Sequence, residues 1–94
     1  MTEASEQLIL TTLKTDLHQS NTVMDGYLMQ LIRAAQDFIK KEGIVLTDSF
    51  GDCQLVEMYA AYLFRRRREE NTAMPRALRW ALNNRRISEP MGEE

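Results

Sequence analysis

Apolar residues fall at helical spacing in four separate stretches of this chain, and strand-like alternation is nearly absent. In the first stretch Leu10, Leu13 and Leu17 recur along one face, with Leu8 or Ile9 on its flank. This pattern predicts a helix over residues 5–18, with Ser5 as its N-cap and His18 as a polar residue at its end, closed by Gln19-Ser20-Asn21. The second stretch is the clearest. Tyr27, Leu28, Leu31, Ile32, Ala35, Phe38 and Ile39 form a stripe of helical period, and Arg33, Gln36, Asp37, Lys40 and Lys41 occupy the other faces. Thr22-Val23-Met24-Asp25 fits a capping box, with a start that can slip to Asp25 because Gly26 weakens the first turn. Lys40 and Lys41 ahead of Gly43 mark the end: the cations meet the negative end of the helix dipole, and glycine accepts a positive φ.

Ile44-Val45-Leu46-Thr47 is the one β-branched cluster, and a single strand makes no sheet. It reads as a short extended connection tucked against the core. Asp48 or Ser49 then caps a third helix over residues 50–67. Leu55, Val56, Tyr59, Ala60, Tyr62, Leu63 and Phe64 cover more than one stripe of it, so this helix packs on two sides, within one copy or between copies. Thr72 as N-cap would place Pro75 in the first turn of a fourth helix that runs to about Asn84. Leu78, Ala81 and Leu82 face inward there, and Trp80 lies off their stripe. The expected fold is all-α: a compact bundle of four to five helices with one short extended connection. Its core should comprise Leu13, Leu28, Leu31, Ile32, Ala35, Phe38, Ile39, Leu55, Tyr59, Leu63, Leu78 and Leu82. Residues 1–86 form one domain, and residues 87–94, with Pro90, Gly92 and three acids, read as a mobile tail.

Size sharpens this picture. A chain of 94 residues holds one domain and buries only about two thirds of its unfolded surface, so its core is thin and association would add burial. No apolar run approaches the roughly 18 residues that span a bilayer. The N-terminal MTEASEQL has neither the basic start nor the apolar stretch of a signal peptide, so a cytoplasmic protein without membrane contact is expected. Cys53 is the single cysteine, which excludes an internal disulfide and a cysteine-based zinc site.

Charge is more informative than composition. Net charge is −2, but residues 1–57 carry nine acids and four bases, and residues 58–86 carry eight arginines, no lysine and two acids. The last eight residues add three acids. Such segregation points to a polar contact surface. Arg65, Arg66, Arg67 and Arg68 stand in a row, and because successive helical residues turn by about 100° they must circle the helix end rather than form a stripe. They are either a cationic C-terminus paired with Glu69 and Glu70, or a contact for phosphate or an acidic protein surface. Arg76, Arg79, Arg85 and Arg86 can join the same patch, and arginine without lysine favours bidentate contacts. Trp80 beside them is core, a cation–π partner or an interface anchor. The candidate interface is therefore Arg65, Arg66, Arg67, Arg68, Arg76, Arg79, Trp80, Arg85 and Arg86.

Catalytic chemistry finds no footing. His18 is the single histidine, so neither a triad nor a two-histidine metal site can be built from one copy. Asp48 and Asp52 lack the alternating acids, central glycine and closing glutamate of a calcium loop. The six methionines are scattered. No catalytic residue, metal or cofactor is expected, and function should lie in binding.

Three stretches resemble the small head–tail connector (head-completion, DNA-packaging adaptor) family of tailed phages and prophages. They are Asp25-x-x-Leu28-x-x-Leu31-Ile32-x-Ala34-Ala35-x-x-Phe38-Ile39 ended by Gly43, Ala60-Ala61-Tyr62 leading into Arg65, and Pro75-x-x-Leu78-x-x-x-Leu82-x-x-Arg85. The match covers roughly residues 8–86. The resemblance implies a non-enzymatic helical protomer that forms a ring under the portal, dodecameric if it matches the portal, and extends the DNA channel. Its partners would be the portal protein and a tail-proximal stopper or adaptor, with DNA passing non-specifically through the ring. Its place would be the host cytoplasm during assembly and then the head–tail junction of the virion. The alternative from the residues themselves is a small helical regulatory or nucleic-acid-associated protein that sets its arginines on phosphate.

Overall fold

A computed structural model describes residues 1–69 and 72–87. Within them the chain forms four helices: α1 (Glu3–Asp16), α2 (Asp25–Lys41), α3 (Phe50–Arg68) and α4 (Arg76–Ile87). The third helix is the axis of the bundle, since α1, α2 and α4 all pack against it. This explains its wide apolar surface. Cys53, Leu55, Val56, Tyr59, Ala60, Ala61, Tyr62, Leu63 and Phe64 are all buried, and the flanking helices of the same copy cover them. Both covered sides of α3 are thus filled inside one protomer. The irregular stretch after Gly43, where an extended connection was expected, carries Ile44 into the core and joins α2 to α3.

Helix ends reveal where local chemistry overruled the pattern. Thr2, not Ser5, caps α1: its Oγ1 accepts the Ser5 backbone N–H at 3.2 Å. Ser5 instead donates its hydroxyl to Asp48 at 2.8 Å, and Asp48 also accepts the Thr2 N–H at 2.9 Å. The α1 start is thereby tied to the loop ahead of α3. The helix closes two residues before the expected end. His18 takes the left-handed conformation with φ 58°, its N–H bonds to Thr15, and the Gln19 N–H reaches back to Lys14. That pair of bonds is a Schellman closure with histidine in the position glycine usually holds.

The capping box at Thr22 does not form. Its carbonyl accepts the Asp25 N–H in a turn, Met24 holds the N-cap without a side-chain bond, and α2 starts at Asp25. The Asp25 carboxylate meets Lys14 of α1 at 2.8 Å instead. Gly43 ends α2 with φ 92°, as its sequence context required. Ser49 caps α3 by accepting the Asp52 N–H at 3.2 Å. Thr72 does not cap α4, which begins at Arg76 just beyond Pro75. The cause is the proline: its ring disfavours helical backbone at Met74, so no helix can run from Thr72 through it. Displaced forward, α4 extends to Ile87, which belongs to the helix and not to the expected tail; the rest of that tail lies outside the described residues.

The core follows the sequence pattern with one exception. Leu13, Leu28, Leu31, Ile32, Ala35, Ile39, Leu55, Tyr59, Leu63, Leu78 and Leu82 are buried. Each large aliphatic side chain among them contributes about 1.5–3 kcal/mol by leaving water. Phe38 is 42% exposed. It sits at the edge of the α2 stripe, where one ring face stacks on Tyr59 with centroids 5.8 Å apart and Lys41 lies over it at 5.8 Å. Polar ties reinforce the α1–α2 contact, where Glu6 accepts from Gln36 at 2.9 Å and faces Arg33 at 3.4 Å. The Cα envelope measures 41 × 32 × 18 Å.

Candidate functional site

The eight arginines of residues 58–86 separate into two groups that the sequence could not distinguish. Three of the four on α4 turn toward carboxylates of the acidic half. Arg79 grips Glu42 at the end of α2 with two parallel bonds of 3.0 and 3.1 Å. Arg86 adds a third bond to Glu42 at 3.1 Å. Arg85 bonds Asp52 through Nε at 2.7 Å and Nη2 at 3.1 Å, and also donates to the Val45 carbonyl at 2.8 Å. Side-chain exposure is only 15% for Arg85 and 4% for Asp52, so this pair is an internal strut. Asp52 further accepts the Thr47 N–H at 2.7 Å and its hydroxyl at 2.8 Å. One carboxylate therefore pins α4, the extended connection and the start of α3 together.

Acidity follows from these contacts. The bond from Arg79 lowers the Glu42 pKa, outweighing its partial burial. Burial on its own would raise Asp52, but the bonds from Arg85 and Thr47 outweigh it and hold the group below the ordinary aspartate value. Both carboxylates stay ionised, as charge-assisted pairing demands. Arg79, Arg85 and Arg86 thus act first within the chain, and the outward interface narrows accordingly.

Arginines of the α3 end behave differently. Arg65, Arg66, Arg67 and Arg68 are all exposed and circle the last turn. Arg67 lies over the Tyr27 ring at 6.0 Å and Arg68 over the Phe64 ring at 5.4 Å. Among the described residues no carboxylate forms a salt bridge with any of the four. Glu69 leaves the helix in extended backbone without pairing to the run, and Glu70 lies outside the described residues. Aromatic faces position two of the guanidinium groups and leave their charge facing water. Arg76, at the start of α4, is likewise exposed.

Trp80 is 71% exposed, which removes core packing from its possible roles. It lies on the face of α4 opposite Leu78 and Leu82. Leu8 of α1 and Phe50 of α3 are also outward, at 58% and 74% exposure. Between those two residues lies a groove of about 130 Å³, lined in addition by Thr12, Cys53, Gln54 and Glu57. Pattern reading had placed Trp80 at the interface but neither Leu8 nor Phe50, although Leu8 stood on the flank of the α1 stripe.

Glu57 is the residue that sequence reasoning missed. It is buried at 7% exposure on the crowded axis helix, with its carboxyl hydrogen-bonded to that of Asp16. Burial, then the neighbouring Asp16 carboxyl, raise its pKa to about 8, with Arg65 opposing. The available signal was a glutamate set amid apolar positions of a helix that is apolar on several sides. No group of three or more potential metal ligands converges among the described residues, and none of the helices there is long and apolar enough to cross a membrane.

No family model, curated protein or solved structure matches this chain. Its functional reading therefore rests on its own residues: an arginine collar facing out, an arginine-locked helix, and an exposed tryptophan far from the core.

Proposed function

We propose that the chain is a structural virion protein, a head–tail connector whose copies form a ring beneath the portal and extend the DNA channel of the packaged head. The reading is non-enzymatic. It places the protein in the host cytoplasm during assembly and at the head–tail junction afterwards, in contact with the portal and a tail-proximal adaptor. The observation that carries it is the collar of Arg65, Arg66, Arg67 and Arg68: four exposed arginines that form no salt bridge among the described residues of their own chain, on a protomer whose other half is acidic. In a head-to-tail ring each copy offers two different surfaces, and opposite charge on those surfaces selects the pairing. The collar serves that seam or the portal contact. The resemblance of three stretches to connector motifs supplies the second support, and its aliphatic positions Leu28, Leu31, Ile32, Ile39, Leu78 and Leu82 are core residues of α2 and α4.

Light-scattering mass at high protein concentration, with negative-stain imaging of the same sample, tests the reading. Closed rings are expected. A second reading draws on the same collar: unpaired exposed arginines also suit phosphate, as in a small nucleic-acid-associated protein. A chain that stays monomeric or dimeric and binds duplex DNA, with log affinity falling about 0.9 per phosphate contact against log salt, would put that reading first.

A further inference from the structure

The last turn of α1 meets the axis helix through two acids. Leu13 is the final buried residue of α1, and beyond it only half-buried Leu17 packs toward the core. Asp16 closes the helix and sets its carboxyl against that of Glu57 on α3. Both border a cavity of about 190 Å³ whose walls include Arg65, Pro75 and Leu78. Asp16 is exposed and Glu57 is buried, so the pair joins solvent to the interior.

The surroundings offer little to offset a second negative charge there. Asp16 stands at the negative end of the α1 dipole, and Lys14, the cation of that turn, is taken by Asp25 at 2.8 Å. From α3, Arg65 faces the pair across the cavity, but it is exposed and forms no salt bridge among the described residues. Cys53, on the same helix, shares with Glu57 the smaller groove on its other side. The α4 side supplies only Pro75 and Leu78, and no residue of α2 lines either cavity that Glu57 borders. Two hydrogen-bonded carboxyls in such a place keep a proton between them. Burial first, and then Asp16, push Glu57 up to about 8.

The turn is also weakly closed. His18 holds φ 58°, a conformation that a residue with a side chain adopts at a cost. By contrast, the start of α1 is fastened by Ile9 and Leu10 in the core, by Glu6 on Gln36, and by Thr2 and Ser5 on Asp48.

We propose that the proton between Asp16 and Glu57 is a latch, which fastens the last turn of α1 to α3 and on leaving frees that turn while the rest of the bundle stays folded. The latch goes beyond the ring reading and does not depend on it, since every group in it belongs to one chain. Opening admits water to Glu57, whose carboxyl then returns toward its ordinary value of 4.5 and ionises. Each opening therefore releases a proton at any pH between 4.5 and about 8. Across that window the open population should rise by up to roughly tenfold per pH unit, and level off above it.

Amide hydrogen exchange between pH 5 and 9 tests this, with each rate divided by that of an unstructured chain at the same pH. The Leu17 and Gln19 amides, bonded to Leu13 and Lys14 at 2.9 and 2.8 Å, report the turn. Their protection should fall steeply up to about pH 8 and then flatten. The amides of Leu31 and Ile32, fully inside α2, should remain far better protected at every pH. Glu57→Gln, which cannot ionise, should remove the slope. Asp16→Asn changes an exposed side chain and relieves the like charge, so it should move the levelling point to lower pH. Equal protection for the α1 end and for Leu31 and Ile32 would overturn the latch, because α1 would then open only with the whole chain. A parent profile without slope, or one unchanged in both variants, would overturn it as well.

Discussion

Arginines at the end of α3 and arginines along α4 have the same chemistry and lie within about twenty residues of one another, yet they do opposite things. Along α4, Arg79, Arg85 and Arg86 reach carboxylates contributed by the acidic half, at Glu42 and Asp52. They fasten the most lightly packed helix to the bundle, where Leu78 and Leu82 are the only fully buried side chains it supplies. At the end of α3 no carboxylate forms a salt bridge among the described residues, Glu57 feeling Arg65 only at a distance, so the charge stays in solvent. Two buried carboxylates show the same rule in reverse. Asp52 has an arginine and stays ionised; Glu57 has Asp16 beside it and holds its proton. What a charged residue does here is decided by the neighbour that the fold brings to it.

Substitutions separate the two kinds of charged site, and Arg85 should matter most. Arg85→Ala leaves Asp52 buried and unpaired and should cost about 3–5 kcal/mol in urea unfolding. A loss below about 1 kcal/mol would mean that the strut does not hold α4. Next comes Glu57. Its unfolded-state value is 4.5 and its folded value about 8, so the folded chain keeps a proton that the unfolded chain releases. Stability contributed by this group is whole below pH 4.5 and declines as pH rises toward 8. Glu42 and Asp52 have lowered values and act in the other direction: their contribution is present above the ordinary carboxylate range and is lost as pH falls through it. The parent protein should therefore be most stable near pH 5. Glu57→Gln should extend the plateau through neutrality and gain ~2 kcal/mol at pH 8; a pH–stability profile unchanged by it would contradict the buried proton. Arg79→Ala comes third, at about 1 kcal/mol, because the pair with Glu42 is partly exposed and Arg86 remains as a substitute.

Much of this architecture was legible in the chain. The stripes of α2 and α4 predicted the centres of their buried faces, with Tyr27, Phe38 and Ala81 less covered at the margins, and the wide apolar surface of α3 announced a helix covered on more than one side. Helix starts were harder, because several threonines and serines compete for one cap and the winner depends on distant groups. Ser5 lost the α1 cap to Thr2 while its hydroxyl went to Asp48, 43 positions away. Thr72 failed for a local reason that was readable, the restriction Pro75 places on Met74. Phe38 lay on the stripe but at its margin, where periodicity cannot tell a covered ring from a half-covered one. The division of the arginines was not legible at all. Pairs such as Glu42 with Arg79 span 37 positions, and no pattern of short period encodes them.

Unfolding of Arg66→Glu/Arg67→Glu beside Arg85→Ala tests the division most directly. Reversing charge on the collar should change stability by less than about 0.5 kcal/mol, while ring formation or portal capture by the same variant is lost. A collar variant that unfolds as easily as the Arg85 variant, or one that assembles and captures the portal like the parent, would contradict the account.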